Sequence, residues 1–190
     1  MRMQNPTTAA IRNVERLNTS YSDWGATHYP GGVVFMSDTL YKKQLDNDSR
    51  FNRNDYLRTN RSFYKLYLAD TVNYGTVYIE DMSPVFNQYR YHAGPVIFTD
   101  DYREAYYTLT FADKKIIGKE KEGNPPVVYG HRRLQLFHAG IDSSGKWKNI
   151  AAFPYNNPEQ FSVGHAALSK DGNIIYFTSD MPGGQGGTDI

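Results

Sequence analysis

The strongest constraint on this chain is that it resembles itself. The stretch FSVGHAALSKDGNIIYFTS (161–179) overlays YHAGPVIFTDDYREAYYTL (91–109) without a gap, with Gly94 on Gly164, Asp101 on Asp171, Tyr106 on Tyr176 and Tyr107 on Phe177. A third, looser copy is YSDWGATHYPGGVVFMS (21–37), with Gly25 on Gly94 and Val33-Val34-Phe35 as its second strand. The aligned glycines stand 69 and then 70 residues apart. Each copy reads as strand, tight turn, strand, and Asp171-Gly172 between two apolar runs is a strong hairpin signal because that turn needs φ > 0. A second hairpin follows the first two copies. FYKLYLADTVNYGTVYI (63–79) matches LQLFHAGIDSSGKWKNI (134–150), with Tyr67 on Phe137, Asp70 near Asp142 and Gly75 on Gly145. Linkers carrying an asparagine (Asn18, Asn87, Asn156) recur between the units.

Four-stranded units in series are how a β-propeller builds its blades. A β-sandwich also repeats strands, but gives no reason for glycines to recur at a constant spacing. The expected fold is therefore all-β, a β-propeller fragment of two complete four-stranded blades plus the first half of a third. The boundaries read as 1–20 for an N-terminal segment and blade linker, 21–82 for blade one with an insert at 38–62, 83–153 for blade two with an insert at 112–133, and 154–190 for a partial third blade. Ile190 falls where another strand is expected to start, so the expectation is a piece of a longer chain. Composition agrees: 16 Tyr, 10 Phe and 2 Trp make a ring-rich chain suited to half-buried pleated strands. Tyr64, Leu66 and Leu68 alternate with Lys65, Tyr67 and Ala69, the period of a sheet stacked on a neighbour.

Several function classes are disfavoured. Lys plus Arg number 21 against 20 Asp plus Glu, which leaves no general basic excess for neutralising phosphates, so no nucleic-acid partner is expected. No apolar run approaches the ~18 residues of a transmembrane helix, so no transmembrane segment is expected. With no cysteine there is no thiolate nucleophile or disulfide, and MRMQNPTTAA has no apolar signal-peptide core. His28, His92, His131, His138 and His165 lack zinc-protease spacing, and no nucleophile-elbow motif occurs. The cluster GGQGG (183–187) has no following Lys-Ser/Thr and reads as a strand-connecting loop rather than a phosphate cradle. His165 reads as a structural histidine at a strand entrance, aligned with Pro95. Asp180 and Asp189 bracket the glycine loop; they read as turn carboxylates bonding backbone N–H groups, with a cation the alternative. The chain is expected to be non-enzymatic, without metal or cofactor.

The run SVGHAALSKDGNIIYFTSDMPGGQGGTDI resembles the signature of TolB-like propeller repeats in OmpA-family outer-membrane-associated proteins of Bacteroidetes-type bacteria. Gly164, His165, Ala167, Leu168, Ser169, Asp171, Gly172, Tyr176, Phe177, Ser179 and Asp180 match it, as do Pro182, Gly183, Gly184, Gly186, Gly187, Asp189 and Ile190. Ala166 departs from it, standing where the family usually has Pro. LNTSYSDWG and YHAGPVIFTDD resemble the family's first blades, so the likeness covers about residues 12–190. It implies a periplasmic, outer-membrane-associated, non-catalytic scaffold that docks an outer-membrane or periplasmic protein complex, similar to accessory proteins of type IX secretion or gliding machinery. The link to peptidoglycan would run through an OmpA-like domain that this sequence does not contain. The alternatives are a propeller that caps a serine peptidase and a glycan-binding propeller.

The inserts break the economy of the repeat. The 38–62 insert carries 6 basic and 4 acidic residues and the 112–133 insert 6 and 3, while the third unit has nine residues (180–188) at that place. Loops this long in a compact domain tend to be functional. In an antiparallel meander both leave from the same end, together with Gly94, Gly164, His165 and the GGQGG loop. The expected partner site is therefore Lys42, Lys43, Arg50, Arg53 and Tyr56 with Lys114, Lys115, Arg132 and Arg133, facing an acidic surface. By the same resemblance, Asp-Ser/Thr before an apolar residue is an O-glycan acceptor pattern, met at Thr39 and Thr71.

Overall fold

β-Branched and aromatic residues between glycine- and proline-bearing turns form strands throughout this chain. The computed structural model describes residues 13–39, 55–56, 59, 61–70, 78–87, 91–112, 119–120, 127–128 and 132–190. Strand β1 (Asp23–Tyr29) turns through Pro30-Gly31, with Gly31 at φ 81°, into β2 (Gly32–Ser37). A two-residue pair, β3 (Asp55–Tyr56) and β4 (Arg61–Ser62), lies within the first insert. β5 (Lys65–Asp70) and β6 (Tyr78–Asp81) complete an antiparallel sheet in the order β1-β2-β5-β6.

A short helix, α1 (Pro84–Asn87), leads to the second sheet. There β7 (Ala93–Phe98), β8 (Glu104–Ala112), β11 (Arg132–Ile141) and β12 (Trp147–Ala152) form the same meander. Between β8 and β11, β9 (Lys119–Glu120) pairs with β10 (Val127–Val128). Finally β13 (Val163–Leu168) pairs with β14 (Ile175–Ser179), and Ser179 exchanges backbone hydrogen bonds with Asp189. Among the described residues the chain is thus all-β, with two four-stranded antiparallel sheets, the β13–β14 hairpin and the short β3–β4 and β9–β10 pairs.

Two details differ from the sequence reading. The second insert is shorter than 112–133, because Arg132 and Arg133 pair with Ala112 and Phe111 and extend the β8–β11 ladder. The 161–179 turn is not a two-residue Asp-Gly turn. Ser169 N–H bonds the Ile174 carbonyl and Gly172 N–H the Ser169 carbonyl, and only Gly172 has φ > 0, at 72°. Asp171 stabilises this wider loop with its carboxylate, accepting from the Ser169 hydroxyl at 2.5 Å and from Asn173 N–H at 3.3 Å. The equivalent loop of the second sheet repeats the pattern, with Asp101 on the Thr99 hydroxyl at 2.6 Å and Tyr102 at φ 56° where Gly172 stands.

The sheets stack in series. Val34, Met36 and Leu66 of the first sheet bury against Ala93, Val96, Ala105, Tyr107 and Leu109 of the second. The α1 linker closes this core from one side: Phe86 is fully buried, its ring 4.9 Å from Tyr107 and 5.2 Å from Trp147. The first strand of each later unit seats on the sheet before it, and a backbone irregularity lets it approach closely. Gly94, at φ 102°, lies so near Met36 that a Cβ there would sit 2.1 Å from the sulfur. Gly164 lies over Thr108, and the neighbouring His165 N–H bonds the Thr108 hydroxyl at 2.9 Å. Each first strand slips register at this point, between Trp24 and Thr27, Ala93 and Val96, and Gly164 and Ala167.

Asparagine closes each of the two four-stranded units. Asn87 accepts from Leu66 N–H at 2.9 Å and donates to the Leu66 carbonyl at 2.8 Å, so its amide behaves as one more residue of a paired strand. Asn156 does the same to Leu136, at 3.0 and 2.7 Å. Asn18 does not follow them; its amide donates to Asn13.

Candidate functional site

Register fixes where the inserts leave. Ser37 at the end of β2 lies opposite both Asp23 and Lys65, and Leu109 and Ser179 lie opposite Ala93 and Val163. The β2–β5 and β8–β11 connections therefore leave the end at which each first strand begins, as does the 180–188 loop. Lys42, Lys43, Arg50, Arg53, Lys114 and Lys115 lie outside the described residues, and Tyr56 is described only as backbone in β3. Arg132 and Arg133 start β11 at this end; Arg133 reaches over to donate to the Pro158 carbonyl at 3.3 Å.

Arg132 stands in an aromatic setting. Its guanidinium lies 4.4 Å from the centre of the Tyr91 ring and 5.8 Å from that of the buried Phe63. Phe63 packs edge-on against Tyr91 and His92, at 5.3 and 4.8 Å. The first sheet repeats the arrangement, with Arg61 5.6 Å from the Tyr21 ring. Tyr21, Tyr91 and Phe161 stand 70 residues apart, each two residues before a first strand begins, so an arginine-on-tyrosine pair is built twice at the insert end. Beside it Trp24 is 44% exposed, with its ring edge-on to Tyr64 at 5.7 Å.

Charge differs between the two copies. In the first sheet Arg61 lies 3.7 Å from the buried Asp38 and donates to the Ser22 hydroxyl, while Asp38 accepts from Ser22 N–H at 2.8 Å. The third unit keeps that carboxylate, with Asp180 accepting from Ser162 N–H at 2.6 Å. In the second sheet the corresponding position is Thr110, and among the described residues no carboxylate lies within ion-pair distance of Arg132. Lys65 adds a second cation by donating to the Tyr91 carbonyl at 3.0 Å. Burial pulls the Lys65 ammonium down to about 8, partly offset by Asp81. Burial, then the charges of Lys65 and Arg132, pull the His92 imidazole down to about 4, with Asp38 opposing them. His92 Nδ1 accepts from Tyr64 N–H at 3.1 Å, a role the Ser162 hydroxyl plays for Leu134 one unit later. Among the described residues, the seam between the first two sheets therefore holds two cations and a neutral imidazole around Tyr91.

The remaining sequence candidates hold local structure. The His165 side chain is exposed; its backbone, at φ 53°, lies within the register slip between Gly164 and Ala167. Asp189 accepts from Gly186 N–H at 3.3 Å, so Asp180 and Asp189 both bond backbone donors. No group of three metal-ligating side chains occurs among the described residues. The Thr39 hydroxyl is half-buried and 3.0 Å from that of Thr19, and Thr71 lies outside the described residues. No helix among the described residues is long and apolar enough to cross a membrane. Lys65 and Tyr91 were not read as site residues from sequence, and His92 was weighed only for zinc-protease spacing, although the aromatic residues at 21, 91 and 161 share the spacing of the glycines. No family model matches the chain, and neither a curated protein nor a solved structure matches it.

Proposed function

We propose that the chain is part of a β-propeller and serves as a non-catalytic interaction scaffold. The two four-stranded sheets are blades, β13–β14 is the start of a third, and partner proteins dock at the end from which the inserts leave. The observation that carries this reading is the arginine-on-tyrosine pair built twice at that end, at Tyr21–Arg61 and Tyr91–Arg132. Repeated cation–aromatic pairs beside long, positively charged inserts suit protein recognition, where arginine and tyrosine supply much of the binding energy. The resemblance to OmpA-family propellers supports a periplasmic, outer-membrane-associated location and a docked complex of the type IX secretion or gliding kind. Attachment to peptidoglycan would come from a domain outside this sequence.

The test is to shorten both inserts to the nine-residue length of the third unit's connection and repeat co-purification from the native host. Partner recovery is expected to fall at least about tenfold, the loss of one or more binding hot spots. Full recovery with a correctly folded double variant would show the inserts to be passive.

A further inference from the structure

Resting on that scaffold reading, we propose that the seam around Tyr91 is an acceptor for a carboxylate side chain from an acidic segment of the partner protein. Three equivalent positions lie one residue past the partner of each first strand's opening residue: Asp38, Thr110 and Asp180. The first and third supply a carboxylate that accepts a backbone N–H from the start of their own unit, and in the first it also lies beside Arg61. The second supplies a threonine, and among the described residues both Arg132 and Lys65 stand at its Tyr91. Arg132 sits 4.4 Å over the Tyr91 ring and Lys65 donates to the Tyr91 carbonyl at 3.0 Å. Among the described residues, Arg132 of the middle unit thus has no carboxylate of the kind that Asp38 sets beside Arg61 in the first.

A guanidinium over an aromatic ring is fixed in place and still has N–H donors for a planar oxyanion. Phe63 packs edge-on against Tyr91 and His92 and sets further rings beside the site. A carboxylate suits it better than a phosphate chain. Among the described residues the seam offers two cations rather than a long basic track, and the chain as a whole carries a net charge of only +1.

The probe is fluorescein-labelled decaglutamate, titrated by anisotropy against the full chain at low and high salt. Arg132→Ala should weaken binding about tenfold, and Arg132→Lys by less, because the charge remains and the fork is lost. Thr110→Asp, which restores the carboxylate of the neighbouring units and leaves both cations in place, should also weaken binding about tenfold. Decaglutamate should raise the His92 pKa from about 4, read by the imidazole carbon-bound proton shifts, in the wild type and not in Arg132→Ala. Equal binding by wild type and a folded Arg132→Ala variant overturns the proposal, and Arg132→Ala alone decides it if Thr110→Asp does not fold. Tighter binding of polyphosphate or a ten-nucleotide single strand than of decaglutamate overturns it in favour of a phosphate ligand. If shortening the inserts abolishes partner capture but decaglutamate does not distinguish the variants, this inference falls and the scaffold reading stands. Variant-sensitive decaglutamate binding with undiminished partner capture after shortening upholds the seam and removes the role of the inserts.

Discussion

Among single residues, Asn87 and Asn156 carry the most structure per atom. Each accepts the N–H of a buried leucine and shares that leucine's carbonyl with a backbone donor, Met82 N–H on Leu66 and Phe153 N–H on Leu136. Replacing either by alanine strands the leucine N–H, while the carbonyl keeps the Met82 or Phe153 N–H, with an expected cost of about 2 kcal/mol in urea denaturation. Asn18→Ala should change stability by less than about 0.5 kcal/mol, since its amide bonds only the exposed Asn13. His92 makes a different prediction. Its folded pKa of about 4 lies below the ordinary 6.5, so the unfolded chain takes up the proton first. The stability present above pH 6.5 should therefore be lost progressively as the pH falls toward 4, as protonation also removes the acceptor for Tyr64 N–H. His92→Ser, which copies Ser162, should keep a hydrogen bond and flatten this limb of a chemical-denaturation pH series.

At the scale of elements, the close seat of each first strand on the preceding sheet determines what can be substituted. Gly94→Ala combines a φ of 102° with a Cβ 2.6 Å from the Met36 Cγ, and about 3 kcal/mol of destabilisation is expected. Gly164→Ala has no φ penalty and meets a Thr108 methyl at 2.9 Å, for about 1 kcal/mol. Urea midpoints of the two variants check the order. The 70-residue spacing made these glycines and the hairpins legible, because a recurring close approach needs a recurring small residue. The position of the bulge in the third copy was not legible. Glycine and the left-handed conformation separate there, with His165 taking φ 53° one residue after Gly164. The seam was hidden for another reason. Lys65, Tyr91 and Arg132 belong to three separate stretches of sequence and meet only because β5 and β11 both begin where the chain enters β7. Helix α1 was missed as well: four residues are too few to show a helical period, and Ser83 and Pro84 alone signal its start.

Across the whole molecule, stability should be graded along the stack. β2, β5, β8 and β11 are paired on both edges and carry most of the fully buried side chains. β13–β14 leaves Ile174 and Tyr176 about half exposed, at 51% and 49%. Native-state hydrogen exchange should show the inner strands of the first two sheets as the slowest amides and β14 as the fastest of the long strands. The isolated 190-residue chain should then lose β13–β14 before the rest, and one cooperative transition by exchange and by Trp147 fluorescence would contradict this grading. The asparagine clips bear on the same stack in another way. Leu66 and Asn87 lie 21 residues apart and Leu136 and Asn156 20, and in both units the whole interval follows the insert. Closure of a unit is thus measured from a point beyond the variable loop, and no residue of that loop enters the count. The loop position is a socket: a foreign segment of another length can be spliced into it while strand three, the linker and the next unit keep their places, so binding specificity can be exchanged without redesigning the frame that presents it.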